Sequence, residues 1–341
     1  MSERVRLRPA AATNRAVPEV TGRLERRTAE MADAEVSGPR VLVLLAAYNG
    51  APWIPEQLES ILRQEGVDTR IAVRDDGSTD GTPEEVGRFA GGDRVRVSRA
   101  TVPSGSAAQN FFALMRENAA EDFDFVALAD QDDIWNRDKL SRACRALAED
   151  RAAGYSSSTV AAWADGRESV LRQVGTATSS DFLFEGAGQG CTFVLSAEFY
   201  GRVRSFVRDH QQLTQTVYYH DWAVYALARA WGMRWTFDSK PSMRYRQHGG
   251  NDTGARTTVA GIAKRLSLIK RGWYRAQLCG IAELCSAAAP TNATVTAWCA
   301  LLPRPESWRR RLQIARFCLR GGRRRTLDNA IVALAALAGW V

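Results

Sequence analysis

Asp130, Asp132 and Asp133 place three carboxylates within four residues, interrupted only by Gln131. Like charges this close repel, so each group favours protonation or dispersal. A bound divalent cation is the simplest stabiliser of such a cluster. Hard oxygen donors favour Mg²⁺ or Mn²⁺, usually completed by waters and substrate phosphates. The competing reading is a solvated acidic turn that caps a helix starting at Asp138. A second acidic pair stands in Asp75-Asp76-Gly77-Ser78, and a third polar cluster is Tyr48-Asn49-Gly50. The chain has no G-x-G-x-x-G after its first apolar run and no G-x-x-x-x-G-K-[ST] loop. A nucleotide bound here needs another means of neutralising its phosphates.

The elements that must position these clusters follow from periodicity. Val41–Ala47 is a continuous apolar run, the mark of a strand buried on both faces. Pro52–Gln64 has apolar residues at helical spacing. Arg70–Arg74, Arg94–Ser98 and Phe125–Ala129 read as further strands. Helices are expected from Thr82, over Ser106–Asn118 and over Asp138–Glu149. Alternation of strands and helices implies right-handed crossovers and a mostly parallel sheet flanked by helices, an α/β fold. Ligands bind such sheets beyond the carboxyl ends of the strands. All three polar clusters fall at strand ends of that kind, and this coincidence is the first functional signal.

Composition narrows the class. The chain has 341 residues, 45% apolar and 25% charged, which is ordinary for a soluble globular protein. Its most apolar stretch, Leu327–Val341, is shorter than the roughly 20 residues a spanning helix needs. The first residues carry arginines without an apolar core behind them, unlike a secretory signal. Six scattered cysteines with no C-x-x-C pair disfavour a zinc site and suit a reducing cytoplasm. Net charge is +8. Residues 1–37 carry +1, residues 38–255 carry −5 and residues 256–341 carry +12. Three regions are therefore expected: a disordered leader over 1–37, a catalytic domain over 38–255 and a helical basic C-terminal region over 256–341.

Taken together, A-x-Y-N-G (Ala46 to Gly50), V-x-D-D-G-S-T-D-G-T (Val73 to Thr82) and A-D-Q-D-D-I-W (Ala129 to Trp135) resemble family 2 glycosyltransferases. Gly190-Cys191-Thr192, H-D-W (His220 to Trp222) and Y-R-Q-H-G-G-N (Tyr245 to Asn251) follow in order. They extend the resemblance to rhamnosyltransferase-like members of bacterial polysaccharide pathways. It covers about residues 40–255. The fold it implies is the nucleotide-sugar-binding α/β fold called type A, and the activity is inverting sugar transfer.

The resemblance also implies roles. Ala46 and Tyr48 match positions lining the base pocket. Asp76 matches the carboxylate that accepts a pyrimidine N3–H, a job suited to a group that only accepts when ionised. Asn110 matches a position near the nucleotide, with a structural role as its alternative. Asp130 would hold the ribose or the metal, and Asp132 would ligate the metal directly. His248 is the candidate completing ligand, with packing as its alternative. Asp221 is the candidate general base, with helix capping as its alternative. Trp222 and Trp135 are candidate walls of the sugar pocket, with a place in the core as the alternative for Trp222.

The donor expected is a dTDP- or UDP-sugar, and the acceptor a glycan or lipid-linked glycan. Two alternatives stay open: a non-catalytic nucleotide- or glycan-binding assembly module, and a nucleotidyltransferase. Between Trp308 and Arg325 stand eight arginines, and Ala330–Val341 is wholly apolar or Gly. That pattern reads as an interfacial anchor on an anionic membrane, or as a helix packing on the body or on a second subunit of a homodimer. Nucleic acid is not an expected partner, since the body is acidic and holds no recognition motif. The expected location is the cytoplasm, peripheral on the inner membrane face.

Overall fold

The computed structural model describes residues 38–173, 175–249 and 270–341. The leader expected over 1–37 and the boundary expected at 255/256 lie outside these residues. Arg40–Ala47 forms β1, Asp68–Asp75 β2, Val95–Arg99 β3 and Phe125–Ala129 β4. Helices α1 (Ile54–Leu62), α2 (Thr82–Gly87) and α3 (Ala107–Glu117) connect them, and α4 (Lys139–Asp150) follows. β1 pairs in parallel with β2 and β4, and β2 with β3.

β1 shows why this order forms. Val41, Val43, Leu45 and Ala47 enter one core with Ile54, Leu58 and Ile61 of α1 and Leu140 and Leu147 of α4. Leu42, Leu44 and Ala46 enter the other core with Phe111, Phe112 and Leu114 of α3. Successive side chains point to opposite faces, and helices cover both, so the run must be apolar throughout.

Past β4 the fold departs from simple alternation. The next strands are β5 (Ile134–Trp135), β6 (Gly154–Ser157), β7 (Thr159–Trp163), β8 (Glu168–Leu171), β9 (Val194–Ser196), β10 (Trp235–Asp238) and β11 (Met243–Gln247). The main sheet is ordered β10-β6-β9-β4-β1-β2-β3, and β9 runs antiparallel to both its neighbours. A second sheet, β5-β11-β7-β8, stands apart. Its strand β5 is only two residues long, and β9 only three, too short to leave a period in the sequence.

The remaining helices are α5 (Ala197–Asp209), α6 (Gln211–Gln215), α7 (His220–Ala230), α8 (Trp273–Ala288), α9 (Ala293–Cys299), α10 (Trp308–Leu319) and α11 (Thr326–Leu337). Leu278, Ile281, Trp298, Ile314, Cys318, Val332 and Ala336 from the last four join the core on the α3 face.

For several arginines of the run, this packing is the expected alternative of a helix packed on the body. Arg310 is buried and donates to Glu306 and to the Leu301 and Leu302 carbonyls. Arg311 reaches Glu306 and the Leu337 carbonyl. Arg323 pairs with Glu185 at 3.1 Å, and Arg324 pairs with fully buried Asp181 at 2.9 Å. Arg325 donates to the Arg172 carbonyl. Asp181 also accepts from Arg229 at 3.1 Å and from the Tyr225 hydroxyl at 2.7 Å. Arg323, Arg324 and Arg325 clamp the C-terminal helix pair to the segment before β9. Arg311 ties α10 to the end of α11, and Arg310 ties α10 to the turn before it.

Asp181→Ala tests the clamp. It would remove the buried carboxylate shared by the mostly buried Arg229 and Arg324 side chains, and breaking a buried pair in this way costs about 3–5 kcal/mol. The urea midpoint should fall accordingly, and an unchanged midpoint would refute the clamp.

Candidate active site

The loop after β1 is latched to the loop after β2. Asn49, at φ 48°, takes the left-handed conformation that short polar side chains tolerate. Its Oδ1 accepts from the Thr79 N–H at 2.9 Å, and its own N–H donates to Ser78 Oγ at 2.8 Å. The Gly50 N–H donates to Thr82 Oγ1 at 2.8 Å. Gln131 then ties this loop to β4. It accepts from the Tyr48 N–H at 2.7 Å and donates to the Tyr48 carbonyl at 2.8 Å. A Cβ at position 50 would lie 2.2 Å from Gln131 Oε1, so a larger residue there would displace the Gln131 side chain from the Tyr48 backbone. Tyr48 itself presents its ring to solvent, 54% exposed, whereas Ala46 is buried in the core on the α3 face.

Asp76 lies at the end of β2, buried. It accepts from Arg74 Nη1 at 2.8 Å, from the Ser104 N–H at 2.9 Å and from Ser104 Oγ at 2.7 Å. An ionised carboxylate has about four acceptor positions. Ser104 and Arg74 together therefore take up most of them. Asn110 is buried as well. Its Oδ1 accepts from Arg74 Nη1 at 2.8 Å, and its amide donates to the Ala47 and Arg74 carbonyls, each at 3.3 Å. It braces the strand ends and aims Arg74, which is its structural alternative. Asp75 is held by Ser78 and by Arg99.

Two layers of acidic donors meet at the end of β4. At the rim, Asp132 Oδ2 lies 2.8 Å from His248 Nε2, so residues far apart in sequence come together. The His248 ring stacks on Trp53 at 4.0 Å. Arg246 on β11 donates to the Asp132 carbonyl at 3.0 Å, and Gln57 donates to the Asp130 carbonyl at 2.9 Å. Beneath the rim, ligand atoms of Asp130, Asp133 and Cys191 all lie within 4.8 Å of one another. Both Asp133 oxygens are buried without a hydrogen-bond partner. Burial pushes the Asp133 carboxyl well up, and the charges of Asp132 and Asp130 add to this. Burial likewise pushes the Lys139 ammonium down to about 7. An orphaned buried carboxylate beside further oxygen donors fits a divalent cation.

The turn Gly190–Thr192 joins this cluster to α7. A Cβ at Gly190 would lie 3.0 Å from Asp221 Cβ, while its neighbour Cys191 faces Asp130 and Asp133. Asp221 is not the cap of α7. The cap is Tyr219, and Asp221 sits in the first turn, where its Oδ1 accepts from the Trp222 N–H at 2.6 Å. The positive end of the helix dipole favours an anion there. His220 is buried against Phe111 at 3.9 Å, and burial pushes its imidazole down to about 3. It packs as a neutral ring. Trp222 donates to the Phe182 carbonyl at 2.8 Å and is buried, as is Trp135. Both belong to the core, which is the alternative expected for Trp222 and corrects the reading of Trp135 as a pocket wall. Trp53, Arg74, Ser104, Gln131 and Arg246 escaped the sequence reading. Only Gln131 carried a signal, as the neutral member of the acidic run.

Comparison with known proteins agrees with this geometry. The family model described as glycosyl transferase family 2 matches residues 42–206. The chain is 36% identical over 241 residues to a dTDP-rhamnosyl transferase, RfbG, of Shigella flexneri. That match covers 70% of this chain and 83% of the relative. It is 32% identical to a putative teichuronic acid biosynthesis glycosyltransferase, TuaG, of Bacillus subtilis (strain 168), over 33% of this chain and 43% of that one. Among solved structures, S. aureus TarS 1-349 superposes with a TM-score of 0.51 at 13% identity. The match covers 88% of this chain and 91% of that one and supports the fold alone. With a relative of this identity spanned over most of its length, the chain belongs to glycosyl transferase family 2.

Proposed function

We propose that this glycosyltransferase moves a deoxyhexose, rhamnose by similarity to its relative, from a dTDP- or UDP-linked donor to a glycan or lipid-linked glycan acceptor. The process it serves is cell-surface polysaccharide synthesis. The observation that carries this reading is the gathering of Asp130, Asp133, Asp132 and His248 at the carboxyl end of β4. An inverting displacement needs such a diphosphate-holding site together with a base, and Asp221 of the H-D-W match is the carboxylate proposed for that role. Family membership removes the nucleotidyltransferase alternative.

In this reading, Asp221 takes the proton of the acceptor hydroxyl as that oxygen bonds to the anomeric carbon. The bond from that carbon to the diphosphate breaks on the opposite face, and the nucleoside diphosphate leaves. Asp130, Asp132 and His248 would hold a Mg²⁺ or Mn²⁺ ion, which as a Lewis acid neutralises the charge of the departing diphosphate. Asp76 receives the base N3–H in exchange for the hydrogen bonds of Ser104. Tyr48, whose ring is exposed, is the residue proposed to cover the base.

Two substitutions test the roles separately. Asp132→Ala should lose Mn²⁺-dependent binding of dTDP- and UDP-sugars in calorimetric titration, together with turnover. Full turnover of the wild type in excess chelator would sink the metal assignment. Asp221→Asn retains an oxygen for the Trp222 N–H but removes the base. Release of nucleoside diphosphate should slow by about 10²-fold or more with donor affinity unchanged. Unaltered turnover per folded molecule would assign Asp221 to structure and leave the base role to another group.

A further inference from the structure

We propose that α10 and α11 form a surface that docks the protein on an anionic bilayer, the membrane-facing role belonging to a defined subset of the C-terminal residues. Among the described residues, thirteen large apolar side chains are exposed, and eight of them lie between residues 308 and 340. On α10 these are Trp308, Leu312 and Leu319, at 67%, 46% and 60% exposure. At 3.6 residues per turn they fall within an arc of about 40°. On α11, Leu327, Ile331 and Leu334 fall within an arc of about 60°, with Leu337 and Trp340 exposed nearby. The opposite sides, Ile314, Cys318, Val332 and Ala336, are buried in the core. Packing is thus satisfied without the outer stripes, and their apolar character needs another cause.

The helices run in opposite directions, since Arg311 near the start of α10 donates to the Leu337 carbonyl at the end of α11. Trp308 and Trp340 therefore lie toward the same end. Charge selects the occupant. Arg310, Arg311, Arg323 and Arg324 are spent on Glu306, Glu185 and Asp181. Arg309, Arg316 and Arg320 are exposed and pair with no carboxylate among the described residues. They project about 80–120° from Trp308 around α10, as a cationic row beside the apolar one. Arginines flanking an apolar stripe that carries Trp and Leu match an anionic headgroup layer over acyl chains. Each helix has 12 residues, and no described helix is long and apolar enough to cross a membrane. The pair therefore lies in the interface. Docking there would bring the active site to lipid-linked acceptors, but the surface stands independently of the proposed transfer reaction.

The test is co-sedimentation of the full chain with phosphatidylcholine vesicles, with and without phosphatidylglycerol. The wild type should pellet with the anionic vesicles at low salt, not with the neutral ones, and be released as salt rises. The triple variant Arg309→Gln, Arg316→Gln, Arg320→Gln should partition about 100-fold more weakly. Leu312→Ser combined with Leu334→Ser should also reduce binding. Circular dichroism and nucleotide affinity should be unchanged in both variants. That control separates failure of the surface from failure of the active-site assignment. A wild type that stays in the supernatant overturns the proposal, as do variants that bind vesicles like the wild type. Stripe variants that turn a dimer into a monomer in analytical ultracentrifugation, without vesicle binding by the wild type, would make the face a contact between copies instead.

Discussion

Repulsion among Asp130, Asp132 and Asp133 sets the terms for everything at this edge of the sheet. Charges so placed need their backbone held rigidly while their oxygens stay available. Neutral amides and one guanidinium do the holding: Gln57 takes the Asp130 carbonyl, Arg246 takes the Asp132 carbonyl and Gln131 grips the backbone of Tyr48. Beneath them, Asp133 and Lys139 are both buried, and burial works against the charged form of each. Lys139 has its Nζ 3.5 Å from the Trp135 ring centre, a favourable place for a cation when no oxygen is in reach. Even the absent side chain of Gly50 belongs to this arrangement, since Gln131 fills the space a Cβ would take.

The same edge divides labour between neighbouring residues. His220 and Asp221 are consecutive, and consecutive helical residues do not share a face. One turns into the core against Phe111 and becomes a neutral packing ring. The other stays partly exposed beside Gly190. A similar division runs through the arginines near the C-terminus. Some complete buried ion pairs, which hold because Asp181 and Glu185 supply charge and hydrogen bonds together. Others remain at the surface. A net charge counted over the segment sums both kinds and so overstates the field that a partner would meet.

Much of this was legible in the sequence. The run Val41–Ala47 specified a strand covered on both faces, because no half-exposed strand tolerates seven consecutive apolar residues. Alternation of such strands with amphipathic helices specified the parallel sheet, and sheet chirality put the polar clusters at one edge. The acidic run, the Asp75-Asp76 pair and Tyr48-Asn49-Gly50 could therefore be placed at one edge, while the roles of Asp76 and of the H-D-W helix start rested on the family resemblance. These signals are local: each is written in residues close together in the chain.

Contacts between distant segments were decided only by the tertiary structure. The meeting of His248 with Asp132 joins residues 116 apart, and that of Arg324 with Asp181 joins residues 143 apart. No pattern in either segment names the partner. Ser104 and Arg74 on Asp76 escaped for the same reason, as did the insertion of three-residue β9 between two strands it opposes in direction. Whether Asn110 or Trp222 faces a ligand or a carbonyl depends on which backbone groups the fold leaves nearby. Composition and spacing thus determine which elements form and which chemistry is present, because those depend on period and residue type. Which polar atoms remain free to act is set by the three-dimensional pairing of donors and acceptors, and a linear sequence does not carry that pairing.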